Sequence, residues 1–250
     1  MSHGFSVEVE DVQPGVILRP RGVLDAYTAP DLRAALLRAL AGQPPAILID
    51  VTGMTLGDAI ALTVVATAAQ QSERWPGSRI VLAPVDAAFG SVATELGIDR
   101  SVALCPSVAA ALSELSGTPV PPLMRRHIVP DRDAPGTARS AVIEFCQGQR
   151  LDRNNDTAQL VASELVTNAV IHAGTAIELT LRLSGGHLHI AVRDDAPGRP
   201  RIAGIVDESS VSGRGLLLVD ALAAEWGTMF PDSGKVVWAT VKVRTASDLA

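Results

Sequence analysis

Apolar residues fall in two different patterns along the chain, and the pattern changes near residue 120. Phe5–Glu10 and Val16–Gly22 predict two strands, with Gln13-Pro14-Gly15 as the turn between them. Ile47–Val51 and Arg79–Ala83 are short, continuous apolar runs of the kind buried on both faces of a sheet. Thr28 is placed to cap a helix running to about Ala41, with Pro30 in its first turn. Further helices are expected over Ala59–Gln71, Ala87–Leu96 and Ser107–Leu115. Strand and helix in alternation predict an α/β sandwich in which sheet and helices form separate layers.

Beyond residue 120 the order differs. A short strand near Arg126–Val129 is followed by two helices, about Gly136–Gln149 and Asn155–His172. Ile177–Leu183 and His187–Arg193 are strands joined by Ser184-Gly185-Gly186, a hairpin signal. A glycine-rich stretch leads into a helix at about Leu216–Ala223. Trp226–Phe230 and Lys235–Val243 then close a hairpin around Pro231-Asp232-Ser233-Gly234. This order predicts helices packed on one face of an antiparallel sheet. Between the halves, Ser116–Pro122 reads SGTPVPP, and three prolines in seven residues suit neither helix nor sheet. The expected organisation is a domain over 1–116, a proline-rich linker over 117–123 and a domain over 124–250.

Composition narrows the class. Hydrophobic residues make up 47% and aromatics 3%, so the cores rest on Ala, Val, Leu and Ile, and base-stacking platforms are disfavoured. Net charge is −6; residues 1–120 hold 12 acidic against 7 basic side chains, residues 121–250 hold 15 against 14. Neither half has the basic surplus that nucleic acid or an anionic membrane surface demands. Cys105 and Cys146 are expected as buried thiols. The N-terminus has no basic segment followed by an apolar one, and no apolar run reaches the roughly 18 residues that span a bilayer, so a cytoplasmic protein is expected.

Three segments of the second half carry candidate chemistry. In Val161–His172 (VASELVTNAVIH), Glu164, Asn168 and His172 recur at i, i+4 and i+8, one polar line on a mostly apolar helix. An amide oxygen at Asn168 suits a hard divalent cation, and a carboxylate one turn earlier can take a proton from a hydroxyl or water. The same line also fits a solvated stripe, with His172 as a cation at the helix C-terminus. In VRDDAPGRP (192–200), Asp194 and Asp195 end a strand, where a carboxylate can accept from an adenine amino group or simply start a turn. In SGRGL (212–216), Gly213 and Gly215 precede an apolar helix whose free N–H groups favour a phosphate.

The order ELVTNAVIHA, VRDDAPG, SGRGLLLVDAL resembles the N, G1 and G2 boxes of the GHKL ATPase superfamily, and within it the anti-sigma-factor serine kinases. The final EWGTMFPDSGKVVWATVKV is similar to that family's closing hairpin, and the resemblance covers about 124–244. It implies a Bergerat-type ATP-binding fold that takes ATP and Mg²⁺. Glu164 is implied as catalytic base and Asn168 as the Mg²⁺ ligand. Asp194 is implied at the adenine amino group and Gly198 beside the nucleotide. Gly213, Arg214 and Gly215 fall around the phosphates, and 199–212 forms a short lid. One departure stands out: Ala196 replaces the first glycine of the G1 box. If that position needs a positive φ, alanine strains the turn by about 1 kcal/mol.

In the first half, ILIDVTGMTLGDAIAL (47–62) and RGVLDAYTAPDL (21–32) resemble STAS domains, the fold of anti-sigma-factor antagonists, over about residues 5–115. The resemblance implies a mixed sheet with helices. In that family an Asp-Ser pair opens a helix and its serine is the kinase substrate; here the pair is Asp58-Ala59, so the phosphoacceptor hydroxyl is missing. Asp58 keeps its carboxylate near the helix start. Thr63, one turn on, has a hydroxyl, although a helix-interior threonine usually packs. Such a half is either a constitutive docking module or a pseudosubstrate for its own kinase half.

The implied function is a partner-switching regulator whose kinase half acts on a separate STAS antagonist, binds a sigma factor, or both, with homodimerisation as the resembling kinases show. The alternative is a catalytically weak or inactive ATP-gated binding protein that sequesters such a partner.

Overall fold

The computed structural model describes residues 4–75, 77–117, 120–151, 155–184, 186–196, 214–231 and 233–243. The chain divides into two compact units, Met1–Val120 and Pro121–Ala250.

In the first unit, β1 (Ser6–Val12) and β2 (Gly15–Leu24) form an antiparallel hairpin, and β3 (Ala46–Asp50), β5 (Arg79–Ala83) and β6 (Ala103–Leu104) extend it in parallel. The strand order is β1-β2-β3-β5-β6, with β4 (Met54–Leu56) pairing the far end of β2. The uninterrupted apolar runs of β3 and β5 are explained by burial on both faces. Ile47, Leu48, Ile49, Ile80, Val81 and Leu82 are all sequestered. Helix α4 (Val108–Ser116) sets Ala111 and Leu115 against Ile17, Leu48 and Val81 on one face. Helices α1 (Ala29–Ala41) and α2 (Thr63–Arg74) pack together and contact β2 and β5 respectively. In α1 the buried Leu32, Ala35, Leu36 and Leu40 form one stripe. Helix α3 (Ala87–Glu95) is capped by Asp86, whose carboxylate accepts from Phe89 N at 2.8 Å.

Two local expectations need correction. Thr28 stands at the N-cap of α1, yet its hydroxyl caps nothing: it donates to Val23 O at 2.8 Å and accepts from Asp25 N. Asp25 does the local work instead, accepting from Tyr27 N and Thr28 N. The helix expected over Ala59–Gln71 is two elements. Ala59–Leu62 is a 3₁₀ turn, and α2 starts at Thr63. The short strands β4 and β6 were not foreseen.

The second unit is an antiparallel sheet in the order β10-β11-β9-β8-β7, built from β7 (Leu123–Ile128), β8 (Ile177–Ser184), β9 (His187–Asp194), β10 (Glu225–Met229) and β11 (Lys235–Lys242). Helices α5 (Ala134–Gly148), α6 (Asp156–His172) and α7 (Arg214–Leu222) are its other elements. The period-2 alternation puts Leu179, Leu181, Leu188, Ile190, Val192, Val237, Ala239 and Val241 into one core. Ala138, Val142, Phe145, Val161, Leu165 and Val219 meet them from the helices. Helix α5 starts two residues before its expected position because Pro135 is tolerated in a first turn, where its missing N–H costs nothing.

Candidate functional site

Helix α6 carries the polar line into the sheet's covered side. It packs against β8, β9 and β11 and against α7. Val161, Ala162, Leu165, Val166 and Ala169 are buried, while Glu164 and Asn168 are half-buried between them. His172 is the last helical residue and is exposed, which fits a cation at a helix C-terminus.

Glu164 meets the G2-like segment directly. A Cβ placed on Gly215 would lie 2.6 Å from Glu164 Oε2, so a side chain there would displace the carboxylate. Gly215 is the second residue of α7, and the carboxylate thus sits at that helix's N-terminal turn, where backbone N–H groups and the dipole favour negative charge. The two boxes lie about 50 residues apart in the chain and are brought together by this glycine contact. Arg214 opens α7. Gly198, Gly213 and the lid expected over 199–212 lie outside the described residues.

Asp194 ends β9 in register with Ile177 of β8 and Lys235 of β11. It continues the row Leu188, Ile190, Val192 and so faces the helices. It is 1% exposed. Its Oδ1 accepts from Ala196 N at 3.2 Å, an Asx-type turn. Its Oδ2 is buried and accepts no hydrogen bond among the described residues, although Lys235 Nζ stands 3.4 Å away as an ion partner. Asp195 is exposed, and its N–H donates to Thr175 Oγ1 at 3.1 Å, tying the loop to the start of β8. Gly234 closes the site from the hairpin. It has φ +73°, and a Cβ there would fall 1.9 Å from Asp194 O. Ala196 is not strained: the described non-glycine residues with positive φ are Gln43 and Arg150. The condition under which alanine would weaken the G1-like turn is therefore not met.

The opposite face of the sheet is open along β7, where Leu123, Arg125 and His127 are exposed, and closed at its centre. Thr180, Arg182 and His189 are buried there, and His189 Nδ1 has no hydrogen-bond partner among the described residues. Burial, helped by the Arg182 charge and the nearby His187, lowers the His189 pKa from 6.5 to about 4. Burial and the neighbouring Arg125 charge lower that of Arg182 to about 10.

In the first unit Asp58 accepts from Ile60 N at 2.9 Å and so caps the 3₁₀ turn that begins with Ala59. Gly57 and Asp58 both donate their N–H to Leu24 O, fixing the loop to the end of β2. Ala59 is exposed, and beside this loop Val23 and Ile60 present 49% and 68% of their surface. The Thr63 hydroxyl is half-buried and donates to Ile60 O at 2.7 Å. Cys105 and Cys146 are buried and not joined in a disulfide. Burial, followed by the Cys105–Glu114 hydrogen bond, raises the Cys105 pKa.

Comparison with known proteins matches residues 6–111 to the STAS domain family and residues 130–241 to the family described as the histidine kinase-like ATPase domain. The chain joins a STAS domain to a histidine kinase-like ATPase domain. An uncharacterized protein of Streptomyces coelicolor (SCO4941) is 39% identical over 72 residues, which are 26% of this chain and 66% of that protein. Among solved structures, an anti-sigma factor antagonist from Mycobacterium paratuberculosis is 25% identical with a TM-score of 0.40, over 46% of this chain and 97% of that one. The RsbU and RsbW domains of Rv1364c from Mycobacterium tuberculosis are 21% identical with a TM-score of 0.37, over 49% of this chain and 32% of that one. A STAS domain joined to this ATPase domain fits a partner-switching regulator, and the ATPase domain implies ATP as its ligand. No helix among the described residues is long and apolar enough to cross a membrane.

Two features of the ATPase domain's candidate site were missed from the sequence. Lys235 gave no signal, because its tie to Asp194 follows from strand register. Gly234 was read as a turn residue, and its closeness to Asp194 adds a second reason for glycine there.

Proposed function

We propose that the ATPase domain binds Mg·ATP and phosphorylates a serine on a separate STAS-domain protein, while the chain's own STAS domain is a docking module that phosphorylation at position 59 cannot switch. The observation that carries this reading is the buried Asp194 Oδ2, which has Lys235 Nζ 3.4 Å away yet accepts no hydrogen bond among the described residues and is thus suited to an adenine amino group. The Glu164–Gly215 contact supports it: only glycine leaves room for the carboxylate at the start of α7. Bound Mg·ATP supplies the phosphoryl group and the metal charge that offsets it. Asn168 would hold the metal through its amide oxygen. Glu164 takes the proton of the partner's serine hydroxyl as that oxygen bonds to phosphorus and the bond to ADP breaks. By their motif positions, Gly213, Arg214 and Gly215 would lie around the phosphates and Gly198 beside the nucleotide.

In the STAS domain, Ala59 has no hydroxyl to accept phosphate, and the exposed Val23 and Ile60 beside the Gly57–Asp58 loop offer an apolar contact. The linker expected over 117–123 ends one residue earlier, at 122, because Leu123 of β7 pairs with Arg182. The partner is a sigma factor, a STAS antagonist or both. The site is cytoplasmic, and the working form is a homodimer. The test is Glu164→Gln, assayed with γ-labelled ATP and by equilibrium nucleotide binding. Binding should persist while label transfer disappears; persistent transfer would remove Glu164 from the base role. Binding without transfer in the wild type, across partners that keep the Asp-Ser pair, would favour the ATP-gated binding protein.

A further inference from the structure

The proposed ATPase reading assigns Asp194 to the base but gives Lys235 no task. Lys235 is the first residue of β11 and lies directly opposite Asp194 in the ladder. By strand alternation it shares the helix-covered face with Val237, Ala239 and Val241. Its side chain is only 12% exposed, which is unusual for lysine. Nζ stands 3.4 Å from Asp194 Oδ2, and the contact lacks hydrogen-bond geometry, since Oδ2 accepts no hydrogen bond among the described residues. An ammonium carries three donors, and among the described residues a single loose ion pair leaves at least two of them to give. A buried acceptor oxygen with unused capacity therefore lies beside a largely buried cation that also has unused capacity.

We propose that Lys235 is a second base-reading residue, and that the Asp194–Lys235 pair reads the edge of the purine as one unit; this rests on the nucleotide reading above. Adenine presents an amino donor flanked by a ring-nitrogen acceptor. The amino group donates to Asp194 Oδ2 while Lys235 Nζ donates to the flanking nitrogen. Guanine held the same way turns a carbonyl oxygen toward the carboxylate and a ring N–H toward the ammonium, so both contacts become repulsive. The pair thus selects ATP over GTP, and the ammonium offsets the buried carboxylate's charge when no base is bound. The glycine at 234 is what allows this closeness, since any side chain there would strike the Asp194 backbone.

The experiment is equilibrium binding of ATP, 1-deaza-ATP, 7-deaza-ATP and GTP to the full chain and to Lys235→Met, with thermal melts of both. The wild type should bind ATP well ahead of GTP, keep 7-deaza-ATP near ATP, and bind 1-deaza-ATP about tenfold more weakly. Lys235→Met should lose about tenfold for ATP and nothing further for that same analogue, the signature of a lost pairwise contact. A lysine that only balances charge inside the fold would instead shift the melt and weaken every nucleotide alike. Equal losses for ATP and both analogues, or none for ATP, overturn the proposal. If Lys235→Met does not fold, the wild type decides alone: equal affinity for ATP and 1-deaza-ATP overturns it. A wild type that binds no nucleotide would overturn the underlying ATP reading itself.

Discussion

Gly215→Ala separates the role of the Glu164–Gly215 contact in the site from any role in holding the fold together. The new methyl carbon would lie 2.6 Å from Glu164 Oε2, where ordinary contact begins at 3.4 Å, so the oxygen must retreat by roughly 0.8 Å. The next atoms, Glu164 Cδ and Cβ, are at 3.7 and 4.0 Å and need not move. The clash is thus confined to the end of a flexible, half-buried side chain. Re-aiming that side chain costs about 0.5–1.5 kcal/mol. Alanine in place of glycine within α7 returns up to about 1 kcal/mol of helix propensity. Net stability should change by less than about 1 kcal/mol, a shift in Tm of about 4 °C or less. Phosphotransfer should suffer far more, because a catalytic group misplaced by about 1 Å can lose on the order of 100-fold in rate. Thermal melts and initial rates of label transfer at saturating ATP measure the two effects. A large loss of Tm, or an unchanged transfer rate, would refute the placement of the carboxylate.

Other outcomes follow from the same geometry. Ala59→Ser restores a hydroxyl at an exposed position, so stability should stay within about 0.5 kcal/mol. Mass spectrometry should find one phosphate on that serine, and none when Glu164→Gln is added. Gly234→Ala forces a methyl into the Asp194 backbone at a φ of +73°; it should cost about 3 kcal/mol or more in urea unfolding and abolish nucleotide binding. His189 has a folded pKa of about 4 against an ordinary 6.5. Between those values the unfolded chain binds a proton that the folded chain does not, so stability falls as pH drops through that window, by about 3 kcal/mol in all. Urea midpoints at pH 7.5, 6 and 5 should show the decline, and His189→Leu should flatten it; an equal slope in both chains would remove His189 as the cause.

Much of this fold was legible because its strands and helices obey simple periods. The strand at Arg79–Ala83 was read to the residue, since a continuous apolar run between turn signals leaves little choice. The first strand of the second unit was read late, at 126 rather than 123, because Leu123–Ile128 gains its length from pairing with β8. The helix expected from Ala59 was broken by Asp58, whose carboxylate favours a tight 3₁₀ turn before α2 begins. The candidate site was legible in its residue types and order. Its contacts were not: the Glu164–Gly215 approach and the Asp194–Lys235 pair join residues distant in sequence through helix packing and strand register. Ala196 shows the reverse case, an apparent defect in the sequence that the backbone accommodates at negative φ.

The most direct test of the central claim is transfer of label from γ-labelled ATP with Mg²⁺ onto a separate STAS protein that keeps its Asp-Ser pair, with a serine-to-alanine version of that protein as the control. The account predicts label on the serine, none on the control and none on this chain's own Ala59 region. Nucleotide binding with no label on any such partner would contradict the kinase assignment.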